Sequence, residues 1–212
     1  MTYGNIGACK PILFNTEMVR AILEGRKTQT RRINKGGSAI VKPNMDLFDP
    51  VARTYGLETY QDGQYQERVC LVEAPVPICP GDVLWVRETW CNLPVSAGGH
   101  TRLSGRYYYK ADNQDIRPDG WRGNWKPSIH MPKEAARIFL RVTSVRCERL
   151  SDMTEEDAIA EGFPDSPAGT DSPLERFSAL WDKTIKRELL RDFGWHADPY
   201  VWVIKFERIK EE

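Results

Sequence analysis

The chain has 212 residues, 41% hydrophobic and 28% charged, with 30 Lys and Arg balanced by 30 Asp and Glu. That length suits one domain carrying insertions or two very small ones, and the 7 Trp, 8 Tyr and 7 Phe argue against global disorder. Zero net charge excludes gripping nucleic acid by bulk charge but leaves a local basic groove open.

No apolar run approaches the ~20 residues of a membrane span, and the first residues, MTYGNIGACKPILFN, lack the pattern of a secretory signal. A soluble, cytoplasmic protein is expected. The five cysteines (Cys9, Cys70, Cys79, Cys91, Cys147) form no CxxC pair, and an odd number suits reduced thiols. His100, His130 and His196 have no partners at ligand spacing, so neither a metal nor, without a Walker A or GxGxxG loop, a bound cofactor is expected.

Lys10 to Asn15 reads as a short strand. A helix follows, with Thr16 as its N-cap, Met18, Val19, Ile22 and Leu23 on one face and Gly25 at its C-terminal end. Residues 34–66 form a polar insertion with a hairpin at Asp62-Gly63. Strands are expected at 67–73, 83–90 and 106–110, and a second polar insertion spans about 92–124. Residues 137–150 alternate Ile138, Leu140 and Val142 against Arg137, Phe139 and Arg141, the mark of a half-buried strand. Thr154 caps a helix with Asp157 at N3, and this helix stops at Gly162. Ser172-Pro173 starts another, whose buried stripe is Phe177, Leu180, Trp181, Ile185 and Leu189. Residues 200–209 are a final strand. Strands outnumber helices without βαβ alternation, so the expected class is α+β, a mostly antiparallel barrel with two or three short helices and two polar insertions.

Four segments carry candidate chemistry. Between residues 20 and 35, Arg20, Arg26, Lys27, Arg31, Arg32 and Lys35 stand against Glu24 alone, a patch suited to phosphates or to guarding a sheet edge. Strand alternation places Lys27, Gln29 and Arg31 on one face and Thr28, Thr30 and Arg32 on the other, so joint action of Lys27 and Thr30 requires a bend or bulge. In GDVLWVRETW (81–90), Arg87 and Glu88 interrupt an apolar strand. Both lie in solvent at a strand end, or one lines a pocket with Trp85 and Trp90 as walls. Glu161 occupies the last helical turn, where a carboxylate opposes the macrodipole at a cost of roughly half a kcal/mol, and propensity gives no reason for it. Trp125, Lys126, Ser128 and His130 share a proline-bracketed loop; with no Asp nearby, a structural role outweighs half of a catalytic triad.

Taken in this order, KPILFNTEMVRAILEGRKTQTRR (10–32), PGDVLWVRETW (80–90), WKPSIHMP (125–132), LSDMTEEDAIAEGF (150–163) and LWDK…DPYVWVIKFERI (180–209) resemble the ASCH domain, a PUA-like β-barrel. The likeness is to the longer ASCH proteins of phages and prophages and covers most of the chain outside the two insertions, within a single domain spanning 1–212. It implies a cleft beside the barrel that meets RNA or a modified nucleoside, lined by Arg26, Lys27, Thr30, Arg31, Arg87, Glu88, Ser128, His130 and Glu161. Trp85, Trp90, Trp121 or Trp125 would serve for stacking. A smaller branch is similar to bacterial N4-acetylcytidine amidohydrolases, and matching motifs places that branch's Lys, Thr and Glu at Lys27, Thr30 and Glu161. The resemblance therefore implies binding of RNA or a modified nucleoside first. Amidohydrolysis or ribonuclease activity stands second, and a phage adaptor with a vestigial cleft third.

Overall fold

In the computed structural model the described residues are 9–34, 42–49, 54–61, 64–75, 78–97, 100–112, 125–165 and 170–210. The chain begins with β1 (Cys9–Leu13), α1 (Thr16–Leu23), β2 (Gln29–Ile33), β3 (Lys42–Asp49), β4 (Thr54–Gln61) and β5 (Gln64–Pro75). It continues with β6 (Val83–Arg87), β7 (Trp90–Ala97), β8 (His100–Tyr109) and β9 (Phe139–Arg149). The helices α2 (Glu155–Ala160), α3 (Pro173–Thr184) and α4 (Leu190–Phe193) precede the last strand, β10 (Tyr200–Arg208).

The fold is α+β. Its main sheet has the order β1-β6-β9-β10-β2, with β1 parallel to β6 and the other neighbours antiparallel. Among the described residues no ladder joins the two outer strands, β1 and β2, so the sheet is open in its backbone pairing. At one end, however, Arg32 of β2 donates from Nη2 to the Leu13 carbonyl of β1 at 2.9 Å. The first segment read as an insertion and the strand expected at 67–73 together form a three-stranded sheet, β3-β4-β5, and the second contributes to the ribbon β7-β8. In the first, Gln61 pairs with Gln64 as a hairpin requires; its turn residues, Asp62 and Gly63, lie outside the described residues, as does Trp121.

β10 explains the layering. Trp202, Ile204 and Phe206 pack on one face with Val19 and Ile22 of α1, Leu84 and Val86 of β6, and Leu140 and Val142 of β9. Val201 and Val203 pack on the other with Ala158 of α2 and Phe177 and Trp181 of α3. A strand apolar at consecutive positions is one covered on both faces, and each such aliphatic side chain contributes about 1.5–3 kcal/mol.

Several local expectations hold as read. Thr154 and Asp157 form the capping box of α2, and Ser172 caps α3 with Pro173 at its first position. Others shift. The cap of α1 is Asn15, whose side chain accepts from Met18 N–H at 2.8 Å, one residue before the Thr16 assignment. Leu189 lies beyond the end of α3 and is exposed, so it is not part of the buried stripe. The strand expected over 83–90 ends at Arg87, and Trp90 begins β7. Its alternation nevertheless persists: Leu84, Val86, Glu88 and Trp90 are all buried.

Candidate functional site

β2 borders the sheet with β10 on one side only. Directly opposed residues in an antiparallel pair share a face, so Arg31 opposite Val203 faces α2 and α3, and Thr30 opposite Ile204 faces the α1 side. Along this strand lies a cavity of about 230 Å³ that takes lining from both faces. Its lining joins Lys27, Thr30, Arg31, Arg32 and Glu161 to Leu13, Phe14, Met18, Phe163, Phe177, Leu180 and Trp181. Lys27 and Thr30 therefore reach one space without a bulge between them. Lys27 precedes the strand, and the position of β2 at the sheet border lets both faces contribute. Exposed Leu13, Asn15 and Thr184 form the solvent side of the lining, and buried Lys27, Arg31 and Glu161 the floor.

The floor is an ion cluster. Lys27 and Glu161 are each 3% exposed. Lys27 Nζ donates to Glu161 Oε2 at 2.6 Å and to the Glu161 carbonyl at 2.8 Å. One ammonium thus answers both the carboxylate and an end carbonyl of α2, placing a cation where the helix dipole favours it. The unfavourable position of Glu161 in the sequence is explained by this pairing. Arg31 approaches Glu161 Oε1 at 3.4 Å through Nη1, and through Nη2 it reaches Glu148 Oε1 at 2.5 Å and Asp157 Oδ2 at 2.9 Å. Gln29 donates to Asp157 Oδ1 at 2.8 Å. Burial holds the Lys27 ammonium below the ordinary lysine range, against the opposing pull of Glu161. Burial works against ionised Asp157, but the hydrogen bond from Gln29 and the charge of Arg31 keep its carboxyl below the usual value.

Backbone contacts set this geometry. Lys27 N–H donates to the Ala21 carbonyl of α1, and Thr28 N–H to the Ala160 carbonyl of α2. The segment before β2 is thereby clamped between two helix C-termini. Gly162 has φ +102°, and a Cβ there would stand 2.8 Å from Ala21 Cβ and 3.2 Å from Lys27 Cβ. Both the left-handed backbone and the close approach demand glycine.

Arg32 differs from its neighbours. Its guanidinium donates to Thr30 Oγ1 at 3.1 Å, to the Arg31 carbonyl at 3.1 Å and to the Leu13 carbonyl at 2.9 Å, all neutral oxygens. It sits 5.3 Å from the Phe14 ring centroid, and Lys27 Nζ lies 5.4 Å from the same ring. The opposite wall is aromatic: Phe177 stacks on Trp181 at 5.9 Å and meets Phe163 edge-on at 5.8 Å.

Of the residues proposed from the sequence, Lys27, Thr30, Arg31 and Glu161 line the cavity. Arg26 is exposed outside it, donating to the Gly162 carbonyl at 2.7 Å. The rest belong to a different region. Glu88, 1% exposed, lies neither in solvent nor on the cavity; Arg137 grips it with two hydrogen bonds, at 2.9 and 3.0 Å. Burial pushes the Glu88 carboxyl upward against the pull of Arg137. Arg87 donates to the Met131 and Ile129 carbonyls. Trp90 is buried beneath Lys126, whose Nζ lies 4.8 Å from its ring. Trp125 and Ser128 are half-buried and His130 is exposed, none of them lining the cavity.

Sequence reasoning named Arg32 only as part of the basic patch and did not select Asp157, Glu148 or the aromatic wall as site residues. Arg32 closes the segment KPILFNTEMVRAILEGRKTQTRR (10–32), and Phe177 and Trp181 are the i, i+4 stripe of α3. Among the described residues no group of three or more His, Cys, Asp or Glu is placed to hold a metal, and no helix is long and apolar enough to cross a membrane. Comparison with protein-family models, with curated proteins and with solved structures gives no match.

Proposed function

We propose that this chain is an ASCH-like protein whose cavity binds a modified nucleoside, free or within RNA. One observation carries the reading: a single cavity joins Lys27, Thr30, Arg31, Arg32 and Glu161 to a wall of Phe163, Phe177 and Trp181. Polar donors and acceptors beside aromatic surface suit a planar, hydrogen-bonding base. The volume, about 230 Å³, falls below the ~300–1,000 Å³ of drug-sized sites and favours one nucleoside over a length of strand. The motif residues that carry the ASCH likeness, Lys27, Thr30 and Glu161, are all in this lining. The Arg32 bridge between the outer strands supports a PUA-like, barrel-like closure at that end. The test is calorimetric titration with cytidine, N4-acetylcytidine and the other common nucleosides. Saturable binding is expected, and Thr184→Trp, which fills the solvent side of the cavity, is expected to abolish it. Absence of binding across the panel, or binding undiminished in Thr184→Trp, contradicts the reading.

A second reading, amidohydrolysis of N4-acetylcytidine, is favoured by the lowered basicity of buried Lys27 beside Glu161, with Thr30 in the same lining. Thr30 Oγ1 accepts from Arg32, so its own proton is available to a base. A neutral Lys27 takes that proton as Oγ1 adds to the acyl carbon, and Glu161 helps deliver a proton to the departing N4 amine. Water then releases acetate from Thr30. Equal amounts of acetate and cytidine are expected, and none from folded Thr30→Val. No product from the wild type at high enzyme concentration removes this reading and leaves binding.

A further inference from the structure

The geometry points to a phosphate-recognition position at Arg32, so that the ligand of the cavity is a nucleotide and not a bare nucleoside. This inference rests on the nucleoside reading above and specifies its substrate class.

A guanidinium carries five N–H donors. Arg32 spends two on Thr30 Oγ1 and the Arg31 carbonyl through Nη1 and one on the Leu13 carbonyl through Nη2. The Nε–H and one Nη2–H have no protein acceptor among the described residues. Nε bonds to no protein atom yet is not a buried orphan, so it remains accessible, and Arg32 as a whole is half-buried in the cavity lining. The charge has no ion-pair partner: burial disfavours it, and Glu161 supports it only from beyond contact distance. Glu161, the carboxylate of the cavity lining, is held by Lys27 and Arg31, and Arg31 also holds Glu148 and Asp157. Arg32 has no carboxylate within ion-pair distance among the described residues.

Its fixed position suits the task. Phe14 lies under the guanidinium, and the bond to Leu13, itself exposed, places it toward the solvent side of the cavity. There an anionic phosphate keeps part of its hydration, which a buried floor would strip at high cost. The two spare donors match two oxygens of one phosphate, the forked recognition in which arginine surpasses lysine. The base then enters toward Lys27, Glu161 and the aromatic wall, and the phosphate stays at the rim. A phosphate ester of this kind comes from a free 5′-mononucleotide or from the backbone of RNA.

Calorimetric titration of the wild type compares N4-acetylcytidine, its 5′-monophosphate and a short oligoribonucleotide containing it, alongside Arg32→Gln and Arg32→Lys. The monophosphate is expected to bind roughly ten- to a hundredfold tighter than the nucleoside. Arg32→Gln should erase that advantage, so that nucleoside and monophosphate bind this variant alike, and Arg32→Lys should restore only part of it. Tighter binding of the monoester than of the oligonucleotide assigns the free nucleotide as source; the reverse order assigns RNA. Equal wild-type affinity for nucleoside and monophosphate overturns the phosphate inference alone, and so does an advantage that survives in Arg32→Gln. Failure of all three ligands to bind overturns the nucleoside reading beneath it.

Discussion

Lys27 and Glu161, 134 positions apart in the chain, meet at 2.6 Å with both side chains buried, and Arg31 stands 3.4 Å from the other carboxylate oxygen. The pairing is unequal, because Glu161 answers two cations and Lys27 answers one carboxylate. Glu161→Gln should therefore cost about 3–5 kcal/mol, the usual loss when a buried charge is left unpaired. Lys27→Met leaves Glu161 with Arg31 and should cost less, about 1–3 kcal/mol. Urea unfolding measures both; equal losses, or a larger one for Lys27→Met, contradict the unequal arrangement.

Gly162 and Gly25 separate backbone strain from crowding. Both have positive φ, +102° and +78°, but a Cβ at Gly25 meets nothing within 4 Å, whereas at Gly162 it meets Ala21 at 2.8 Å. Gly25→Ala should cost about 1 kcal/mol for its conformation alone. Gly162→Ala should cost roughly 2–4 kcal/mol, because α1 and Lys27 must also give way. Thermal or urea unfolding reads the difference. Equal costs would mean that the close approach does not hold in solution.

The Glu88–Arg137 pair is a structural element distinct from the cavity. Arg137→Leu leaves Glu88 buried without its partner and should destabilise by about 2–3 kcal/mol, below the fully buried range because the Arg137 side chain is 27% exposed. Nucleoside affinity of the folded variant should match the wild type in the same titration. A changed affinity would connect this region to the site.

Acid stability should report on Asp157. Its carboxyl binds a proton less readily in the native chain than in the unfolded one, because Gln29 and Arg31 favour the charged form. The stabilisation is fully present above the ordinary value of 3.8 and is lost as pH falls through the lower native one. Asp157→Asn should weaken the protein near neutrality and flatten the loss of stability below about pH 4. Urea midpoints from pH 3 to 7 measure this, and an acid limb as steep as that of the wild type counts against it.

Local chemistry made much of the fold legible. The caps at Thr154 and Ser172 need only residues three positions apart, and the alternation through Leu84, Val86, Glu88 and Trp90 survives the end of β6. Glu161 was conspicuous because its placement made no sense for a helix by itself. What sequence could not supply was partnership at a distance. Arg31 finds Glu148 and Asp157 117 and 126 positions away, and Arg137 finds Glu88 49 positions away. The stripe of α3 announced burial but not against what, so its role as a cavity wall stayed hidden. Alternation parts Lys27 from Thr30, but Lys27 precedes β2, and the two line one cavity. Only the position of β2 at the sheet border, a tertiary fact, explains how both line one space.

A crystal soaked with N4-acetylcytidine gives the most direct test. Density for the base is expected between Glu161 and Trp181, with the ribose toward Arg32. Density instead against Trp125, Ser128 and His130, or none in crystals whose cavity is open to solvent, contradicts the cavity as the place where this protein takes its ligand.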